Sequence, residues 1–400
     1  MKILQICSKV PFPPQDGGTI AMNMLTHGLI HAGNEVQVLA ISTHKHFIAD
    51  EEIDIDYRTK TAYRSVFIDT RVKLLDAFLN LFSSDSYNII RFYSKAFEDA
   101  LIEILSVKQF DLVQLEGLWL SPYLNTIRRY SKAKIALRSH NVEYLIWERL
   151  AENTGNPIKK IYLGLLAKRL KTYELGALNH FDAIAAITGQ DAIIFQSAGC
   201  TMPIVHTPFG IELGRYKEDR STLESPSVFH IGAMDWRPNA DGIQWFLQEI
   251  WPEVLKKNEK IKLYLAGRNM PDWLKQLHQA NVVIKGEVAD SHAFINSHSI
   301  MIVPLNSGGG MRVKIIEGMA LGKTIISTAI GAEGIEYENE KNILIANTEE
   351  EFVRAISKCV SDKAFSDTIG RNARLLAETK YNNQKICDTL SDFYRTLIKG

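Results

Sequence analysis

Three consecutive glycines, Gly308, Gly309 and Gly310, stand between an apolar run, Ile300 to Pro304, and a stretch, Met311 to Ala320, whose apolar residues recur at helical spacing. A strand, a flexible turn and a helix start in that order bring backbone amides close to a ligand. Glycine permits positive φ, and the first amides of a helix have no partner within it. Such a place suits phosphate. Arg312 and Lys314 add fixed positive charge where the helix dipole disfavours cations, so a compensating anion is expected. Glu317, one to two turns further on, is placed to accept hydrogen bonds from ribose hydroxyls. The plainer alternative is a surface turn with solvated basic residues. Two familiar phosphate motifs nearly fit and fail. Gly322-Lys323-Thr324 resembles the end of a P-loop, but the earlier glycine, Gly318, stands one residue too close and the segment follows a helix instead of opening one. Gly308, Gly310 and Val313 occupy the places of GxGxxG, with the third glycine missing. A nucleotide triphosphatase and an NAD enzyme both lose support.

Three further clusters follow strand-like runs. Ile3 to Cys7 leads through Ser8 to Thr19, with Gly17 and Gly18, into a helical run from Ile20 to Ala32. This second glycine-opened helix start can meet a donor phosphate or an acceptor hydroxyl; the alternative is an ordinary loop capped by Asp16 or Thr19. Ile135 to Leu137 leads into Arg138-Ser139-His140-Asn141-Val142-Glu143-Tyr144. His140 can hydrogen-bond a substrate and Asn141 and Glu143 can orient an acceptor or the loop, unless the histidine only caps or packs. Phe229 to Ile231 leads to Gly232, whose neighbouring amides can face a diphosphate with Arg237 nearby, before a helix entered at Pro238. Gly286 and Val288, with Gly267 and Arg268, can line a base pocket through backbone groups, although short connections use glycine for geometry alone.

These clusters need elements to hold them. Ile3 to Cys7, Val36 to Ile41, Leu112 to Leu115, Ile135 to Leu137, Ala183 to Ile187 and Ile204 to His206 are too apolar for half-exposed strands, which favours a parallel sheet covered on both faces. The polar stretch Glu212 to Ser227 reads as a linker. The rhythm restarts at Val228 to Ile231, Leu263 to Ala266, Val282 to Ile284, Met301 to Val303, Thr324 to Ser327 and Ile343 to Ile345. The expected fold is α/β, with two Rossmann-like doubly wound lobes facing across a cleft and ligands at the carboxyl ends of both sheets. The lobes are expected over residues 1–211 and 226–381, with a helix in 382–400 packing back on the first.

The 400 residues suit two domains, and 46 Lys and Arg balance 46 Asp and Glu, which gives no electrostatic case for nucleic acid. Cys7, Cys200, Cys359 and Cys387 lie far apart without a CxxC pair, so no metal or redox motif is expected and the thiols read as reduced. No apolar run approaches the roughly 20 residues of a membrane span, and Met1 to Ile6 enter a strand-like run at once, so no signal peptide is expected. The expected location is the cytoplasm. The run Ile158 to Leu178, with Lys159, Lys160, Lys168, Arg169 and Lys171, can touch the inner membrane face peripherally, or is the solvated face of a packed helix.

With these segments in place, the chain resembles the group-1 (GT4-like) retaining glycosyltransferases of the two-lobed GT-B fold. The likeness is carried by Gly308 to Ala320 with Gly331-Ala332-Glu333-Gly334, by His230 to Asn239, and by Gly17-Gly18. It implies transfer of a sugar, with retention of configuration, from a nucleotide-diphosphate donor of UDP or GDP type to a glycan or lipid-linked acceptor, in bacterial polysaccharide or glycolipid synthesis. It implies no bound metal and no tightly bound cofactor. By likeness, Glu317 binds the donor ribose, the glycine turn with Met311 and nearby basic residues hold the diphosphate, and His140 lies beside the sugar. The chain departs from the family at Gly309, where a glutamate is frequent, and at Met234, where an arginine is frequent. Arg312, Lys314 or Arg237 is therefore expected to neutralise the diphosphate. A sugar-nucleotide isomerase and a non-catalytic sugar-nucleotide-binding protein of the same fold are the alternatives.

Overall fold

The computed structural model describes residues 1–14, 16–72, 80, 83 and 85–400; Gln15 of the glycine-opened loop lies outside them. The chain divides into two compact units, Met1–Gly210 with Asn383–Gly400, and Ile211–Asn382. Among the described residues the first unit holds seven strands: β1 (Lys2–Cys7), β2 (Glu35–Ser42), β3 (Arg64–Phe67), β4 (Leu112–Glu116), β5 (Lys134–Ser139), β6 (Ala183–Ala186) and β7 (Ile204–His206). The second holds six: β8 (Glu224–Ile231), β9 (Lys262–Ala266), β10 (Val282–Gly286), β11 (His298–Val303), β12 (Thr324–Ser327) and β13 (Leu344–Ile345). Helices α1 (Gly17–His31), α2 (Glu143–Glu152) and α3 (Pro157–Ala177) belong to the first unit, α4 (Arg237–Trp245) and α5 (Val313–Ala320) to the second, and the C-terminal α6 (Asn383–Lys399) again to the first.

Both sheets are parallel throughout, in the orders β3-β2-β1-β4-β5-β6-β7 and β10-β9-β8-β11-β12-β13. Parallel neighbours require crossovers, whose helices cover both faces and demand apolar side chains on each. In β1, Leu4 and Ile6 join one core with Leu39, Ile41, Val113 and Leu115, while Ile3 and Cys7 join the opposite one with Val36, Val38 and Leu112. The second unit repeats this with Val228, Leu263, Leu265, Ile300, Ile302 and Ile326 against Ile243, Phe246, Trp251 and Phe352.

Helix α6 closes the first core from outside α1. Cys387, Leu390 and Tyr394 pack with Met22, Leu25 and Leu29. The Asn383 amide donates to the Met24 carbonyl at 2.8 Å, and the Asn34 amide to Ser391 Oγ at 2.8 Å. Gly28 makes the approach possible, since a Cβ there would stand 2.2 Å from Cys387 Sγ.

Three elements differ from the expectation. Strand β3 was hidden because Arg64-Ser65-Val66-Phe67 is a partly exposed edge without an apolar run. The stretch expected as a linker is divided: Glu224 to Ser227 lie in β8, and Tyr216 is buried within the second unit, its ring 4.4 Å from that of His292. Helix α1 starts at Gly17 and not at Ile20, because Asp16 and Thr19 form a reciprocal capping box that draws the glycines into the first turn. No helix among the described residues is long and apolar enough to cross a membrane.

Replacing Gly28 by valine forces α6 away from α1 and is expected to lower stability by about 1–3 kcal/mol, as overpacking of a closed contact does. Urea unfolding midpoints of the two proteins read this directly.

Candidate active site

In the second unit, β8, β9 and β11 end side by side, and their loops carry the glycines. A Cβ on Gly232 would lie 2.5 Å from Lys314 Nζ and 2.9 Å from Asn239 Nδ2, so glycine is what lets the lysine of α5 reach this loop. Lys314 Nζ donates to Asn239 Oδ1 at 2.8 Å and meets His230 Nε2 at 3.3 Å. His230 Nδ1 lies 2.9 Å from the Ile302 carbonyl, which can only accept, so its proton sits on Nδ1 and Nε2 is left to accept from the lysine. Burial and the lysine's charge hold His230 well below the ordinary histidine range. The lysine therefore contacts neutral acceptors and makes no ion pair with any described residue. Burial and the positive charge of Arg312 push it down to about 7, against the opposing pull of Glu317.

The glycine turn is folded around Arg312. Gly308 and Gly310 have φ of 115° and 81°, conformations that favour glycine. Arg312 is the N-cap of α5, preceding its first turn, and its side chain does not cap the helix. Its guanidinium donates to the carbonyls of Gly309 and Gly310 and lies 4.9 Å from the Trp236 ring centre. The expectation of Arg312 as a cation standing within the helix's first turn is thus corrected: it clamps the turn from one residue earlier. Met311 lies half-buried beside it. One turn into α5, Glu317 Oε1 accepts from the Tyr216 hydroxyl at 3.0 Å, and burial raises its pKa although Tyr216 and Lys314 oppose the shift.

Arg237 is not drawn into this cluster. Its side chain is 87% exposed and pairs with Asp241 one turn along α4 at 3.1 Å, while its neighbour Trp236 makes the contact to Arg312. Gly286, with φ of 68°, ends β10 and its carbonyl accepts from Gly267 N at 2.8 Å. Val288 lines a separate cavity of about 470 Å³ with Tyr264, Lys285, Phe294 and His298.

In the first unit, the carboxyl ends of β4 and β5 bring Glu116 and His140 together, with His140 Nε2 2.8 Å from Glu116 Oε2. Glu116 is fully buried. Gln5 Nε2 donates to its Oε1 at 2.9 Å, Gln114 Nε2 to the same oxygen at 2.5 Å, and Arg138 Nη1 lies 3.6 Å from Oε2. Burial alone would raise this carboxyl, but the Arg138 charge and the hydrogen bonds from His140 and Gln5 outweigh it and hold it below the ordinary range. Asn141 accepts from Ser139 Oγ at 2.7 Å through its carbonyl. At the Gly17-Gly18 helix start, Asp16 accepts from the Thr19 amide, and Lys9 Nζ, 2.8 Å from Asp16, would stand 2.9 Å from a Cβ on Gly18.

Sequence reasoning missed Glu116, Gln114 and Tyr394, which stand behind His140, and Tyr216, Trp236 and Asn239, which stand around Glu317, Arg312 and Lys314. A signal existed for Glu116 alone: an acid directly after the run Leu112 to Leu115, at a strand's carboxyl end.

The two parallel-sheet domains define the class first: the fold is the two-domain Rossmann-like GT-B fold of glycosyltransferases. Sucrose-phosphate synthase from Thermosynechococcus elongatus superposes with a TM-score of 0.72 at 14% identity, over 100% of both chains. Anabaena Alr3699/HepE in complex with UDP does so with a TM-score of 0.68 at 14% identity, over 99% of this chain and 100% of that one. More narrowly, residues 225–362 match the family model of the group 1 glycosyl transferases. The chain is 24% identical over 398 residues to an uncharacterized 44.6 kDa protein in the cps region of Klebsiella pneumoniae, covering 97% of this chain and 98% of that protein. It is 25% identical over 205 residues to the capsular polysaccharide biosynthesis glycosyltransferase CapM of Staphylococcus aureus, covering 48% of this chain and 53% of CapM.

Because Lys314 falls to about 7 in the folded chain, from an ordinary 10.5, the unfolded chain binds more protons between those values, and its contribution to stability rises with pH across that window. The Lys314→Met variant is expected to lack this rise. The urea unfolding free energy of the wild type relative to the variant, measured at several pH values from 7 to 10, should rise as pH increases.

Proposed function

We propose that the chain is a group-1, GT4-like glycosyltransferase that moves a sugar, with retention of configuration, from a nucleotide-diphosphate donor to a hydroxyl of a glycan or lipid-linked acceptor. The observation that carries this reading is Lys314: a cation held by neutral acceptors at the start of α5, beside a glycine turn and one turn from Glu317. A diphosphate supplies the charge that this arrangement lacks, and a ribose supplies hydroxyls for Glu317. The segment concerned lies within the stretch that matches the group 1 family model. UDP is the favoured nucleotide, since HepE is described in complex with UDP and with UDP-glucose. Capsular or related surface polysaccharide is the favoured product, from the names of the two relatives.

In this mechanism the second unit holds the donor. Lys314, for which Gly232 leaves room, the amides at the start of α5 and the Arg312-clamped turn stabilise the charge that grows on the leaving diphosphate. The first unit supplies His140 toward the sugar and, through Asn141 and the Gly17-Gly18 helix start, contacts for the acceptor. The nucleobase is placed against the loops at Gly286 and Val288. No protein-bound metal or cofactor is needed for these roles. Work takes place on the cytoplasmic side, in peripheral contact with the membrane through the α2–α3 hairpin tip. There Ile158 and Ile161 are 79% and 76% exposed beside the exposed Lys159 and Lys160.

Incubation with a panel of nucleotide sugars, with and without lipid-linked acceptors, tests the reading. Acceptor-dependent release of nucleoside diphosphate is expected, and a product with the donor's anomeric configuration by proton NMR. Binding without release points to a non-catalytic binding protein, and an altered sugar still on its nucleotide to an isomerase. Glu317→Ala is expected to weaken donor binding by about 10–100-fold, the worth of hydrogen bonds to a charged group; calorimetric titration with unchanged affinity would remove Glu317 from the ribose site. Sedimentation with vesicles containing anionic phospholipid is expected to carry the wild type down and to leave an Ile158→Glu/Ile161→Glu variant in the supernatant.

A further inference from the structure

We infer that His140 is fixed as a hydrogen-bond acceptor at Nδ1, so that the donor-sugar hydroxyl it meets must donate a proton to it. The inference deepens the transferase reading above and rests on it for the identity of the partner; the fixing itself rests on geometry within the first unit.

Glu116 accepts at every contact it makes. His140 Nε2 lies 2.8 Å from Oε2, with Arg138 Nη1 3.6 Å from the same oxygen, and two side-chain amides donate to Oε1. Arg138 beside Glu116 keeps the carboxylate charged, and a charged carboxylate holds both amides with the nitrogen toward Oε1, while the far end of each has a hydroxyl partner. Gln5 Oε1 accepts from Thr26 Oγ1 at 2.7 Å, and Gln114 Oε1 accepts from the Tyr394 hydroxyl at 2.8 Å. Gln5, Gln114, Glu116, Thr26 and Tyr394 are all fully buried, so water does not offer alternative partners. A carboxylate surrounded only by donors has no proton to give. The proton of the neutral imidazole must therefore stand on Nε2, which leaves the Nδ1 lone pair pointing away from Glu116.

The ring itself is not sealed. The His140 side chain is 18% exposed, and Nδ1 has no hydrogen-bond partner among the described residues. An ordinary neutral histidine exchanges its proton between the two nitrogens and can either donate or accept; this one accepts only. Glu116 is thus a positioning residue, acting on the substrate through His140, and Tyr394 of α6 supports it through Gln114.

Two measurements test this. In long-range proton–nitrogen NMR of histidine-labelled protein without substrate, with the resonance assigned by its loss in His140→Gln, His140 is expected to show the Nε2-protonated pattern at a pH where the ring is neutral. An Nδ1-protonated or averaged pattern overturns the inference, whether or not the protein transfers any sugar. In turnover, deoxy and deoxyfluoro donors are compared at each hydroxyl. At one position both are expected to lose about 10–100-fold in kcat/KM, since fluorine cannot donate, which corresponds to loss of one good hydrogen bond. In Glu116→Gln, whose amide can donate to Nε2 and send the ring proton to Nδ1, the fluoro analogue is expected to recover at least about tenfold relative to the parent sugar. A wild type that uses the fluoro donor as well as the parent at every position overturns the role of His140 as acceptor toward the donor sugar. Failure to turn over any nucleotide sugar overturns the transferase reading instead, and the NMR pattern still decides the fixing of the proton.

Discussion

Parallel pairing is the constraint from which the rest of this molecule follows. When every strand of a sheet runs the same way, each must be followed by a crossover, both faces must be covered, and all carboxyl ends collect along one edge. At that edge polar side chains emerge from the apolar strands at both candidate sites. Glu116 and His140 come from adjacent strand ends in the first unit, and Gly232 and the Gly308 turn from adjacent strand ends in the second. Each site is assembled from residues far apart in the chain because the register of parallel strands, not sequence proximity, sets which ends are neighbours.

The two edges use opposite electrostatic solutions. Glu116 is a buried anion whose contacts are all donors, and its charge is fully answered within the fold. Lys314 is a cation held by a neutral imidazole nitrogen and an amide oxygen, and its charge is not answered by any described carboxylate at ion-pair distance. The first arrangement stiffens a ring and fixes its proton. The second leaves a charge for something else to complete, as binding sites for anions do. The nearest carboxylate on the same helix, Glu317, is tied instead to Tyr216.

Much of the architecture was legible because its code is redundant. Twelve of the strands in the described residues announce themselves as apolar runs, and β3 escapes because an edge strand has one wet side and need not be apolar. Glycine turns after strands were legible for a similar reason: close approach and positive φ exclude other residues, so Gly232, Gly308 and Gly310 carry their geometry in their identity. What the chain does not spell out is direction. Arg237 and Arg312 look alike as cations near a glycine, yet one faces solvent with Asp241 and the other folds back on its own turn under Trp236. Tyr216 looked like part of a polar linker, since a single aromatic among charges gives no periodicity to read. Gln114 and Tyr394 are 280 positions apart and meet only because α6 returns to the first unit.

That return has a consequence for how the protein is made. The second unit is inserted between Gly210 and Asn383, so the first unit is interrupted in the chain by all of the second. Tyr394 and Leu390, which fill the core beside Met22 and Leu25, are synthesised only after residues 211–382. Until then the face of α1 around Gly28 stands open and the Gln114 amide lacks its hydroxyl partner. The first unit is therefore begun before the second and completed after it, and the histidine site gains its final geometry only once α6 has emerged.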